Sequence, residues 1–471
     1  MKKKALVTAL LAGITGAVGI VGVSNAVNVN PDGTGQVLLY PYYTTRLEND
    51  TLISVVNTTD EVKAIKVRFL EGENSREVLD FNLYMSPFDV WTGSITEGTG
   101  GPVFRTEDNS CTVPYFFQGS GELPFVTFLF NDSGNTGIDR AREGYIEMLE
   151  MGNVGGALGA NAIHGSDGEP ANCNGLVAAW STGGVWTQDP TTDLTAPSGG
   201  LFGDGVVINV PGARAMGYDA VALDGFSDTI LHRTPTTPEP RLDDVSPAVS
   251  YTVLSTGGSP VLVSDDWTLE EPVQAVTAVL MADQIHNQYA TEAIIGGSSE
   301  WVVTHPTKAQ HVNGLSPIEP FTALFEDGFA CEPIVLEFWD RNEAQSPLGP
   351  ILPSPPPPTG GPASLCFEAN VITFNDSLAT EYGGGVVTDV LGSRLSVNFD
   401  VDNAAGFDTG WAQLRFNDSA PGVSHSMTND VSGREYQGLP VVGFGVRTAN
   451  NVSLNALFGV ANEHKYTRVI Q

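Results

Sequence analysis

The sequence predicts an all-β protein of antiparallel β-sandwich domains, two in number, with one short helix and long Gly/Pro-rich loops. Three observations predict it. Apolar and polar residues alternate with a period of two in segment after segment; turn formers are abundant, with 53 Gly and 30 Pro in 471 residues; and helical spacing surfaces only once. A period of two sends successive side chains to opposite faces, and one apolar face backed by one polar face marks an antiparallel sheet covered on one side.

The elements follow in order. Segments 36–43 and 51–56 read as the first strands. Residues 62–69 place Ile65, Val67 and Phe69 on one face and Lys66 and Arg68 on the other. Residues 79–85 repeat the pattern, with Leu79, Phe81, Leu83 and Met85 inward and Asp80, Asn82 and Tyr84 outward. The polar stretch 71–75 between them makes a hairpin with one buried face. Further strands are expected at 125–130, 144–151, 204–210, 249–255, 300–304, 333–339, 369–374, 411–416 and 440–447. Segment 394–402 alternates as cleanly, with Leu395, Val397, Phe399 and Val401 against Ser396, Asn398, Asp400 and Asp402. The helix falls at 273–286, where Val273, Val276, Leu280 and Ile285 recur near helical spacing after Pro272, over a sheet edge or between domains. The run Phe-Asn-Asp-Ser, at 130–133, 374–377 and 416–419, reads as a strand-ending turn, because Asn and Asp bond their own backbone.

Breaks in pattern set the domains. One sandwich is expected in 27–232 and a second in 248–471, joined by the Pro-rich connector 233–247 and carrying a Pro-rich loop at 346–362. Stretch 152–203 is rich in Gly, Asn, Ser and Thr and weakly periodic. Residues 1–26 read as a signal peptide. Lys2, Lys3 and Lys4 precede an apolar run, and Ser24, Asn25 and Ala26 supply the small residues before a cleavage site at Val27. A membrane anchor is the alternative for that run; no second apolar run of spanning length follows. Segment 27–45 then either forms the first strand of its own sandwich or is free to add to a neighbouring chain's sheet.

The chain carries 55 Asp+Glu against 22 Lys+Arg, a net charge of −33. Removal of residues 1–26 deletes three lysines and no acid, leaving 19 cations against 55 acids and a net charge of −36. Such a chain repels phosphate backbones and anionic lipid heads, which argues against nucleic acid or a membrane surface as partner. Four cysteines in an exported chain imply two disulfides. The sequential pairing, Cys111 with Cys173 and Cys331 with Cys366, is favoured because the second bridge would close the Pro-rich loop, where crosslinking removes the most chain entropy, about 4 kcal/mol. No C-x-x-C pair and no histidine at ligand spacing supports zinc.

Candidate chemistry is sparse. The seven histidines are scattered and read as ordinary surface or turn residues; His305 and His311, six apart, match no metal-ligand spacing. Glu147 and Glu150, three apart on a strand, face opposite sides and cannot share a substrate. Asp265, Asp266, Glu270 and Glu271 flank Trp267, the arrangement of a glycosidase pair beside an aromatic, but acids also favour a helix start. Calcium is the most plausible ion, at Asp400, Asp402 and Asp408, set against the simpler reading of solvated outer-face acids. The seven tryptophans could stack on sugars or pack within sheets.

Five stretches, GQVLLYPYYT (35–44), SVVNTTDEVKAIKVRFLEGENSREVLDFNLYMSPFDVWTG (54–93), GGLFGDGVVINV (199–210), EWVVTHPTK (300–308) and GLPVVGFGV (438–446), resemble a family of uncharacterised exported proteins of Gram-negative bacteria, often labelled only as cell-surface proteins. The resemblance implies one architecture over most of the mature chain and a location at the cell surface, outside the cell or in the periplasm. It carries over no activity and no functional residue. The functional expectation is a non-enzymatic structural or adhesive protein of the cell surface or extracellular matrix, meeting other surface components or further copies of itself. A secreted carbohydrate- or calcium-binding module is the second expectation, and a hydrolase using Asp266 or Glu270 the third.

Overall fold

The computed structural model describes residues 26–114, 121–254, 260–346, 363–374, 387–401, 406–417, 424–451 and 456–471. Residues 1–25, nearly all of the Pro-rich loop, Asp402 and the ends of two Phe-Asn-Asp-Ser runs lie outside these residues.

The hairpin is formed by Lys63–Glu71 and Glu77–Met85, with Ile65 opposite Leu83, Val67 opposite Phe81 and Phe69 opposite Leu79. Glu143–Val154 pairs with Lys63–Glu71 on one side and Val37–Thr44 on the other, and these strands form the middle of an eight-stranded sheet. A six-stranded sheet faces it, in the order Arg214–Asp219, Leu201–Asn209, Asp50–Asn57, Val90–Gly98, Gly101–Arg105, Glu122–Pro124. Between them pack Ile65, Val67, Phe69, Phe81, Leu83, Trp91, Phe104 and Ile146, all buried. Each such side chain contributes about 1.5–3 kcal/mol on leaving water. The rings interlock: Phe69 lies 5.2 Å and Phe81 5.7 Å from Phe104, centroid to centroid.

The second half is also a pair of sheets. A five-stranded sheet runs Ser396–Phe399, Ala369–Phe374, Ser298–Thr304, Val442–Asn451, Ala456–Glu463. A four-stranded sheet runs Val335–Asp340, Thr409–Arg415, Gln284–Ala290, Lys465–Thr467. Ile285, Tyr289, Trp301, Leu336, Phe374 and Leu414 fill the space between. The sheets are antiparallel throughout the described strands except where Ala369–Phe374 pairs in parallel with Ser396–Phe399.

The five-stranded sheet is covered on both faces. Trp301 and Val303 point to the four-stranded sheet, while Val302, Val371, Phe444 and Val446 join the core of the first sandwich. Phe444 stacks on Tyr218 at 4.5 Å. The helix, Val273–Leu280, is buried at every residue and packs beside segments of both halves.

Several expectations are corrected. The helix ends at Leu280, six residues early, because Met281–Ala282 pairs with Leu439–Pro440 and Gln284–Ala290 is a strand. Segment 125–130 is not a strand; pairing stops at Pro124. The first Phe-Asn-Asp-Ser run therefore follows a turn. Stretch 152–203 contains three short helices, Gly156–Ala162, Cys173–Ala179 and Val185–Gln188, too short to display a period and held by tertiary contacts.

The largest correction concerns the faces expected to be wet. Lys66, Arg68, Asn82 and Tyr84 are buried. The Pro-rich connector and the short helices lie over that side of the eight-stranded sheet. Lys66 donates to Asp80 and to the Thr237 carbonyl at 2.6 Å. Asn82 donates to the Arg233 carbonyl at 2.9 Å, and Tyr84 meets His232 at 2.9 Å. Segment 27–45 is the first strand of its own sheet: Val37–Thr44 is buried along its length between two neighbours. Pro41, which has no N–H to give, sits at the register shift opposite 144–146.

Candidate functional site

The acids proposed for hydrolysis are occupied as anchors. Asp265 is buried and accepts from Tyr436 and Arg434, each at 2.6 Å. Asp266 caps Thr268 N at 2.9 Å, and Glu270 holds Asp430 N at 2.7 Å. Trp267 is fully buried and donates to Ser250 at 2.8 Å, so it offers no ring to a substrate. Glu147 and Glu150 do face opposite ways: Glu147 pairs with Arg68, while Glu150 pairs with Lys63 at 2.8 Å and accepts from the Ser198 and Gly199 amides. Gly199 and Gly200 both have positive φ, 75° and 84°, which brings that amide to the buried carboxylate.

Cys111 joins Cys173, tying an edge strand to a short helix, and Cys331 joins Cys366. Among the described residues, no three or more His, Cys, Asp or Glu side chains are grouped to hold a metal. Asp400 and Asp408 flank a stretch containing Asp402, which lies outside the described residues.

Sequence reasoning missed the buried charge. Five of the seven histidines, His232, His305, His311, His425 and His464, are buried rather than at the surface. His305, Lys308, His311, Glu332, Glu368 and His425 gather in the second half; Phe321 lies 6.0 Å from His305 and 5.4 Å from His311, centroid to centroid. Glu332 accepts from His425 at 2.8 Å and from Thr322 and Ala323 amides. Lys308 donates to the Ala330 and Phe367 carbonyls, at 2.6 and 3.1 Å, beside the second disulfide. Burial, with the nearby Lys308 charge, pushes His305 down to about 3; burial pushes Glu368 up to about 8. All six are within 1% of fully buried, so these groups serve as internal anchors. No local pattern marks them, because their partners lie far away in sequence.

The accessible chemistry is on the outer face of the four-stranded sheet. Trp339 and Trp411 oppose each other across neighbouring strands and stack at 4.2 Å. Trp411 is 38% exposed, the most of the seven tryptophans. Gln288 opposes it on the other side, and the His286 ring lies 6.0 Å away. A groove of about 280 Å³ runs past Trp411, lined also by His286, Asn287, Gln288, Arg447 and Lys465. Arg447 donates to Gln288 at 2.6 Å, and Arg341 to Thr409 at 2.9 Å, so both arginines are fixed to neighbours of Trp411.

Fold and geometry define an all-β, disulfide-bonded sandwich protein with an exposed aromatic face edged by cations. Comparison with protein-family models, curated proteins and solved structures found no match.

Proposed function

We propose that the protein is an exported, non-catalytic component of the cell surface or extracellular matrix that works by adhesion. The observation that carries this reading is the Trp339–Trp411 face, an exposed aromatic and polar surface on a scaffold held by two disulfides and a continuous core. Aromatic rings give large contact area at low entropic cost, which suits a binding face. The disulfides fit an oxidising compartment, and no described helix is long and apolar enough to cross a membrane. The acids that a hydrolase would need are tied to the scaffold. The same face favours the carbohydrate-binding form of this reading.

The test is direct. The mature protein, labelled and added to washed cells of its source, should be recovered with the envelope or matrix fraction. Recovery entirely in the supernatant would overturn the adhesive reading. Mass spectrometry of the exported protein should find Val27 at its N-terminus.

A further inference from the structure

We infer that the groove beside Trp411 is a saccharide-binding site selective for a sugar unit bearing an isolated carboxylate within an otherwise neutral chain. The inference rests on the adhesive reading and names its ligand class. The mature chain has 19 Lys+Arg against 55 Asp+Glu, so every cation has acids to choose from. Most take one: Arg46, Lys63, Lys66, Arg68, Arg140 and Arg142 are all ion-paired, several in the interior. Arg214, Arg233, Lys308 and Arg468 spend donors on backbone carbonyls. Among the described residues Arg341, Arg447 and Lys465 have no carboxylate within ion-pairing distance; Arg447 and Lys465 line the groove at the most exposed tryptophan, and Arg341 is near enough for its charge to act on Arg447.

Their arrangement costs free energy in the empty protein. Burial lowers the pKa of Arg447 and the nearby Arg341 lowers it further, so the two like charges work against each other. Arg447 Nε is buried with no hydrogen-bond partner. A carboxylate in the groove beside Arg447 would offset the repulsion between the two arginines. The rest of the groove suits a sugar. Trp411 offers an indole to the apolar C–H face of a pyranose, and Gln288, whose carbonyl is held by Arg447, keeps its amide N–H2 for a hydroxyl. About 280 Å³ lies just below the range of about 300–1,000 Å³ for drug-sized ligands and holds one ring, the chain continuing along the sheet. A dense polyanion is disfavoured, because Glu463 also lines the groove and the whole chain carries a net charge of −33.

The experiment uses the mature protein and titrates hyaluronan hexasaccharide, in which carboxylate-bearing and neutral sugars alternate. Maltohexaose and oligodeoxythymidylate are titrated in parallel, and tryptophan fluorescence and calorimetry read binding. Saturable binding of the hyaluronan oligomer alone is expected. R447Q/K465Q should weaken it about tenfold or more, one to two charge-assisted contacts being lost, and W411A should abolish it. Circular dichroism and the melting temperature must match the parent, and the conservative W411F should retain partial binding. Equal binding of maltohexaose, binding of the oligonucleotide alone, no binding of any probe, or hyaluronan binding untouched by R447Q/K465Q would each overturn the inference. Adhesion to cells separates the two claims. If the parent and W411A proteins adhere equally, this site is wrong and the adhesive reading stands; if neither adheres, both fall.

Discussion

Arg140 illustrates how a single residue organises this protein. Its guanidinium is buried, bonds Glu71 and Asp132, and lies 4.7 Å over the ring of Phe130. Asp132 belongs to the first Phe-Asn-Asp-Ser run, and its carboxyl is held well below the usual range: burial alone would raise it, but the hydrogen bonds from Arg140, Asn74 and Arg76 outweigh that. Removing one partner of such a buried set leaves uncompensated charge, which costs more than the pair contributes over an apolar substitute. Arg140→Ala should therefore lower stability by about 3–5 kcal/mol, read as a shift of the urea midpoint. Exposed pairs behave otherwise: Arg105→Ala, which loses only the half-exposed contact to Glu122, should change stability by less than about 1 kcal/mol.

At the scale of elements, short pieces depend on crosslinks. The helix Cys173–Ala179 has seven residues, starts at Asn172, whose side chain accepts from Gly175 N, and is marginal by itself. Its disulfide to Cys111 closes a loop of 62 residues, and the second bridge one of 35. On the loop-entropy account each restricts the unfolded chain by about 4 kcal/mol. C111S/C173S should thus lose about 2–5 kcal/mol in chemical denaturation. It should also raise amide exchange in 156–188 first, since the cover over Tyr84 and Trp186 loses its tie. Uniform exchange across the molecule would show that the bridge does not hold this layer.

For the whole molecule, two features set behaviour. The first is continuity of the core: Tyr218 and Phe444 stack across the two halves, and Val302 and Val446 belong to the first sandwich's core. Heat should unfold the mature protein in one calorimetric transition. Phe444→Ala should cost about 3–5 kcal/mol and split that transition in two. A parent protein already melting in two steps would contradict the shared core. The second feature is buried titratable groups. Burial pushes His232, His311 and His464 down to about 4 and His305 to about 3. Neutral in the fold, they contribute fully above the unfolded value of about 6.5, and that contribution is lost as pH falls through 4 to 3. Burial raises Glu73 and Glu368 to about 8. Their contribution is full below the unfolded value of about 4.5 and is lost as pH rises through 8. The histidine contribution is lost on the acid side and the glutamate contribution on the alkaline side, so the melting temperature should fall as pH drops through 4 and as it rises through 8. Glu368→Gln, neutral at every pH, should flatten the alkaline fall and leave the changes below about pH 4.5 untouched. A melting temperature still rising at pH 9 would refute the assignment of Glu368 as neutral in the fold.

By itself the sequence determined the class of fold and most strand positions. Side chains alternate across a strand whatever it packs against, so Ile65, Val67 and Phe69, or Phe81, Leu83 and Met85, announce an inward face locally. It also indicated the turn at 71–75 and the start of the helix at Val273. Alternation reports polarity, however, and not burial. Lys63, Lys66 and Arg68 look solvated until Glu150, Asp80 and Glu147 are brought beside them, the first and last from 87 and 79 residues away. Only the tertiary structure could decide that the Pro-rich connector lies on the sheet, that five histidines are interior, and that Arg447 and Lys465 meet at Trp411. Each of these is a contact between segments remote in the chain, which the alternation within any one segment does not encode.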